Sequence, residues 1–221
     1  MKLFTITYAD GQPCPFTEYR NRTTENLHRF EYNPMLDIVE NHLGEVENNK
    51  FVGIFSHKFE RKTNFTSTIV IYNIVMAYGH GFDLINFSPA FNYPIAGKYA
   101  TFMDWSAAGH GETLRDLIKA CCEHIGFEYH NAPEHIVYAN FFAARKAVYI
   151  DYINTVIKPC LALLEGPLWK TVNQPANYGP GLKAEKLKAL TGLDFYNYLP
   201  FVLERMTMQY IANRNIKTIS L

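Results

Sequence analysis

The sequence predicts an α/β domain with a mostly parallel sheet, on three observations. From Lys2 to Phe87, runs that read as strands alternate with runs of helical periodicity. Phe51–Ser56, FVGIFS, is apolar throughout and reads as a buried strand. The segments between strands are long enough for helical crossovers, so right-handed βαβ units are expected. At 221 residues the chain suits one domain, 1–221, able to build a core without staples.

The elements follow in order. LFTITY alternates apolar residues with Thr, so Lys2–Tyr8 reads as a strand. Ala9–Arg22 is turn-like, with Asp10-Gly11, Pro13 and Pro15. Asn33-Pro34 opens a helix, with Pro at the first helical position and an apolar stripe of Leu36, Val39, Leu43 and Val46. After the Phe51–Ser56 strand, where Gly53 indicates a close backbone approach, Thr66–Tyr78 reads as a helix stopped by Gly79 and Gly81. Phe82–Phe87 is the next strand, and Phe91–Gly111 reads as irregular. Glu112–Ile125 is a helix, Ile136–Ala143 a strand, and Lys146–Glu165 a long helix interrupted near Pro159. Gly166–Leu182 is a polar loop, Lys183–Leu190 a short helix, Leu199–Asn213 a helix and Ile216–Ser220 a last strand.

Composition narrows the partners. Lys plus Arg and Asp plus Glu are 21 each, which argues against a general nucleic-acid binder needing excess cations for phosphates. Aromatic content is 15%, which fits a ligand-binding fold or a tyrosine-rich core. The cysteines Cys14, Cys121, Cys122 and Cys160 show no Cys-x-x-Cys metal spacing, and a reducing cytoplasm is expected. MKLFTITYADG has too short an apolar run for a signal peptide. Ile69–Tyr78, the most apolar segment, is too short to span a bilayer. No transmembrane segment is expected, which leaves room for peripheral membrane association.

Candidate chemistry lies in five places. His57, Lys58, Arg61 and Lys62 follow a strand end directly, where open parallel sheets bind ligands, and cations there suit a diphosphate. The bland reading is a solvated basic loop. In FDLINFSP, Asp83 and Asn86 could face a ligand, or serve the strand. In MDWSAAGHGETLRDL, Asp104, His110, Glu112 and Asp116 could supply a base or ligand, although Glu112 fits a first-turn acid. Asn140 sits among aromatics and needs a partner, either a sugar hydroxyl or a backbone group. Between Phe195 and Ala212 the only charged residues are Glu204 and Arg205, adjacent in an otherwise apolar helix. Burial makes such charges costly unless paired. Neighbours on a helix point about 100° apart, so each is expected to find a partner other than its neighbour. The alternatives are a ligand site and two buried salt bridges.

In this order the segments resemble a group of bacterial glycosyltransferase-like domains, including ones of capsular polysaccharide synthesis. The resemblance runs from about Asn33 to Ile211. It rests on a helix before the Phe-Val-Gly-Ile strand with His57 and basic residues beyond, on FDLINFSP, on YANFFAARKAVYIDYINTVIKPCLALLE, and on FVLERMTMQYI with its Glu-Arg pair. It implies a GT-A type, three-layer α/β/α fold around a Rossmann-like sheet, a nucleotide-sugar donor and a glycan or similar acceptor. The chain departs from it in being short and in having no Asp-x-Asp, the motif that would hold manganese or magnesium.

On this reading His57, Lys58, Arg61 and Arg205 meet the leaving diphosphate. Asp83, Asn86 and Asn140 complete the donor site. Glu204 or Asp104, with His110, acts on the acceptor. Aromatic residues of Phe91–Trp105 stack on sugar or base. The alternative is a binding or scaffold protein that kept the fold without the chemistry.

Overall fold

The structure is a computed structural model that describes residues 1–88, 99–137, 139–178 and 183–221. The domain is α/β with a six-stranded mixed sheet. The strands are β1 (Lys2–Thr7), β2 (Thr17–Arg20), β3 (Phe51–Ser56), β4 (Leu84–Asn86), β5 (Phe142–Arg145) and β6 (Thr218–Ser220). Their order across the sheet is β2-β1-β3-β5-β4-β6. β5 is antiparallel to both its neighbours, and the remaining pairings are parallel. The sheet is therefore mostly parallel, with one reversed strand. That much is compatible with a Rossmann-like fold.

Alternation along the strands divides the core in two. Phe4, Ile6, Val52, Ile54, Leu84 and Phe142 face one side; Leu3, Phe51, Phe55, Ile85, Phe87 and Ala143 face the other. The first side carries most of the helices. They include α1 (Tyr32–Asn41), α4 (Phe102–His110), α5 (Glu112–His124), α6 (Lys146–Tyr152), α7 (Lys158–Glu165) and α10 (Leu199–Arg214). The second side is covered by α2 (Phe59–Thr63) and α3 (Ser67–Gly79), through Phe59, Val70, Ile74 and Ala77. Short helices α8 (Trp169–Val172) and α9 (Ala184–Thr191) complete the set.

Several boundaries depart from expectation for local reasons. β2 falls inside the stretch that reads as turns, because TEYR is polar and half of it is exposed at the sheet edge. The second half of the expected irregular segment is α4, capped by Thr101, whose hydroxyl accepts from the Asp104 N–H at 3.1 Å. Its residues 91–98 lie outside the described residues. β5 begins later than Ile136 because Ala139 and Asn140 both take left-handed backbone conformations, φ 56° and 55°, and break the extended run. The long helix is continuous through a π turn, Ile153–Ile157, that ends just before Pro159. The wider turn accommodates the missing Pro N–H. Lys146–Glu165 is long and apolar enough to cross a membrane by composition. Here Tyr149, Tyr152, Ile153, Val156, Ile157, Cys160 and Leu164 pack it into the core.

Gly53 is the close approach its position in the strand implies. A Cβ there would stand 2.6 Å from the Phe55 ring and 3.0 Å from Leu3 Cδ2. The missing side chain lets the Phe55 ring lie across the strand, where it meets Phe59 at 4.4 Å.

Candidate functional site

The site lies at the carboxyl edge of the sheet. β1 and β3 are neighbours, yet the chain leaves β1 towards β2 on one side and β3 towards β4 on the other. This divergence is a topological switch point, the place where open α/β sheets form the crevice that takes ligands. Tyr8 stands at the end of β1 and His57 at the end of β3, with ring centroids 5.9 Å apart, edge to face. Because β5 is reversed, Asn140, two residues before it, comes to the same edge. α2 begins here as well, and brings Lys58, Arg61 and Lys62, all exposed. Burial, then Lys58 and Arg61, lower the His57 pKa from 6.5, so the imidazole is neutral at pH 7 rather than the cation the sequence reading expects.

α10 supplies the second wall. Arg205 is buried and donates Nε to Ser106 Oγ at 3.0 Å. Its Nη1 donates to the Phe201 carbonyl at 3.2 Å and to Glu204 Oε2 at 2.8 Å. The expectation that adjacent residues cannot partner each other is thus corrected. Backbone directions 100° apart do not prevent two long side chains from curling together, and burial favours the pair. Arg205 Nη2 lies 3.5 Å from His110 Nε2. A guanidinium only donates, so Nε2 is the acceptor and the imidazole is neutral. Burial and the Arg205 charge push the His110 pKa down to about 4, in agreement. His110 is stacked on Phe201 at 4.2 Å and on half-exposed Tyr178 at 5.9 Å.

Glu31 is the residue that sequence reasoning missed. It is the N-cap of α1, one turn earlier than Pro34 marks the helix. Burial drives its carboxyl up to about 7, against Lys62 and Lys58, which lower it; Glu204 adds to the rise and the Asn140 amide opposes it by hydrogen bonding. Burial likewise raises Glu204, opposed by Arg205 and Lys62. Glu31, Glu204, Lys58, Lys62 and Asn140 are therefore one electrostatic cluster. The Tyr32 hydroxyl also donates to Asn140 Oδ1 at 3.3 Å. The left-handed conformation at Asn140 is sterically uncommon, and it turns this amide into the cluster. The only sequence signal for Glu31 was an acid placed just before Tyr-Asn-Pro.

Three expected site residues stand elsewhere. Asp83 precedes β4 and so lies at the amino edge, paired with Arg145 Nε at 3.1 Å. Asn86 is buried, and its amide is spent on the Ile136 carbonyl and Ser220 Oγ, at 2.8 and 3.1 Å. Asp104 is paired with Arg115 Nη2 at 2.7 Å, an arrangement that holds α4 to α5. Glu112 also meets Arg115, at 3.0 Å. Trp105 packs against Phe102 at the core. Two cavities of about 540 and 450 Å³ lie away from the crevice; the first is bordered by Arg29, Asp37, Lys158 and Glu165, the second by His130, His135, Met208 and Ile216.

The arrangement offers exposed cations beside two carboxylates of raised pKa, with aromatic faces at Tyr8 and Tyr178. Chemically this can hold an anion and take or give a proton near neutrality. Among the described residues no three His, Cys, Asp or Glu side chains converge as a metal-ligating group. The two carboxylates that do converge are crowded by Lys58, Lys62 and Arg205, a poor donor set for manganese or magnesium, in keeping with the missing Asp-x-Asp. No protein-family model, curated protein or solved structure significantly matches the chain.

Proposed function

We propose that the chain is a glycosyltransferase that moves a sugar from a nucleotide-sugar donor to a glycan or other acceptor, in surface polysaccharide synthesis. One observation carries the reading: the crevice between β1 and β3 gathers Lys58, Arg61 and Lys62 beside Glu31, whose pKa is about 7. The three cations bind the donor diphosphate and stabilise the charge that grows as it leaves. Tyr8, about one third exposed, gives the base or sugar a stacking face. Glu31, half ionised at neutral pH, removes the proton of the attacking hydroxyl. Glu204, tied to Arg205, keeps a negative charge near Glu31 and holds it basic. Arg205 and His110 are positioning residues that hold Glu204 from behind. No step is routed through a metal ion.

The test is a thermal-shift screen with UDP-, GDP- and CMP-sugars, with and without manganese, followed by a transfer assay. One donor should raise Tm, and Lys58→Ala/Arg61→Ala should abolish the rise. Glu31→Gln should keep the rise and lose turnover by 10²–10⁴-fold. No shift with any nucleotide overturns the proposal. A shift without turnover in the native chain favours a non-catalytic binding or scaffold protein.

A further inference from the structure

The outer face of α3 is uncovered and apolar. Its sequence, STIVIYNIVMAYG, has no charged residue. Val70, Ile74 and Ala77 are buried against the sheet. On the other side Ile69 (42% exposed), Ile71 (43%), Tyr72 (62%), Val75 (53%), Met76 (42%) and Tyr78 (39%) face outward. Ile71, Val75 and Tyr78 form one stripe and Ile69, Tyr72 and Met76 the next, at helical spacing. Most large apolar side chains exposed on the described surface belong to this one helix. Scattered apolar residues need no explanation, but a contiguous patch marks a contact. A helix apolar all round is one whose second face also leaves water.

Charge indicates what covers it. Lys50 Nζ and Arg145 both lie over the Tyr78 ring, each at 5.2 Å. Lys217 Nζ donates to the His80 carbonyl at 3.0 Å and lies over Phe82 at 4.9 Å. Asp83 is paired with Arg145, while Glu60, which accepts from the Ser67 N–H at 2.8 Å, keeps its charge at the opposite, amino end of α3. The end of the patch is thus cationic and aromatic. A helix lying in a lipid interface needs only one apolar face, flanking cations and amphipathic aromatics.

We propose that α3 docks this face flat onto an anionic phospholipid surface, with Ile71, Tyr72 and Val75 entering the interface and Lys50 and Lys217 meeting the headgroups. This surface is independent of the crevice and of the activity read there. The test is co-sedimentation of the full chain with vesicles of phosphatidylcholine, alone or with phosphatidylglycerol, alongside sedimentation velocity without lipid. The native chain should bind the anionic vesicles. Tyr72→Glu/Val75→Glu should weaken binding at least tenfold, and Lys50→Glu/Lys217→Glu should remove the preference for phosphatidylglycerol. The exposed single change Tyr72→Ser, checked by circular dichroism, provides the same comparison if the double variant fails to fold. Absence of binding, or binding unchanged in Tyr72→Ser and Tyr72→Glu/Val75→Glu, overturns the proposal. So does a dimer in lipid-free solution that the Tyr72 variants dissociate.

Discussion

Arg205 Nη1 donates to Glu204 Oε2 at 2.8 Å, so these two opposite charges of α10 neutralise each other although they are consecutive in the chain. Arg205 faces inward, with 4% of its side chain exposed; Glu204, at 22%, borders the crevice. The pair carries charge from the core to the site. Arg205→Met should destabilise the fold by roughly 3–5 kcal/mol, because Glu204 would lose its counter-charge in a mostly buried place. Urea unfolding measures this. In Arg205→Met/Glu204→Gln much of the loss should be recovered, whereas additive losses would mean the pair is not coupled.

Glu31 links the site to pH. Its pKa rises from 4.5 in the unfolded chain to about 7 when folded. A raised carboxyl favours folding most below pH 4.5, and that contribution is lost as pH rises through 7. Glu31→Gln removes this dependence. The variant should therefore gain stability relative to the native chain between pH 5 and pH 8, read as the difference in Tm. An equal offset at both pH values would place the carboxyl at an ordinary pKa.

Glu165 has the opposite sign. Burial raises its pKa, but hydrogen bonds from His28 and Arg29 and the Arg29 charge outweigh burial and bring it to about 2. Its stabilisation is present above pH 4.5 and lost as pH falls towards 2. The triad ties the segment before Glu31 to α7, with His28 Nε2 2.9 Å from Glu165 Oε1. Glu165→Gln should lower Tm at pH 7 and leave it close to native near pH 2.5. A pH-independent loss would assign the effect to packing.

Gly53→Ala should cost about 1–3 kcal/mol, since the added methyl overlaps a fully buried Phe55 ring. A denaturant midpoint equal to native would mean that the Phe55 ring has room to swing aside.

Sequence alone determined the elements whose own residues carry the signal. FVGIFS is apolar enough to be a central strand, Thr66 and Gly79 frame α3, and the largely apolar run of α10 is buried as its composition requires. The cations after β3 were legible because a strand end is a place in the chain. What only the tertiary structure decided is which end each residue reaches and with whom it pairs. The reversal of β5 brings Asn140 to the crevice and Arg145 to the amino edge beside Asp83, and no local pattern encodes the direction of a strand. Glu31 acquires its raised pKa from burial beside Glu204, more than 170 residues away, so its sequence neighbours are silent about it. The Glu204–Arg205 pair shows the same division: its presence is written in the chain, while its geometry comes from Ser106, His110 and the buried wall that leaves the two charges no better partner than each other.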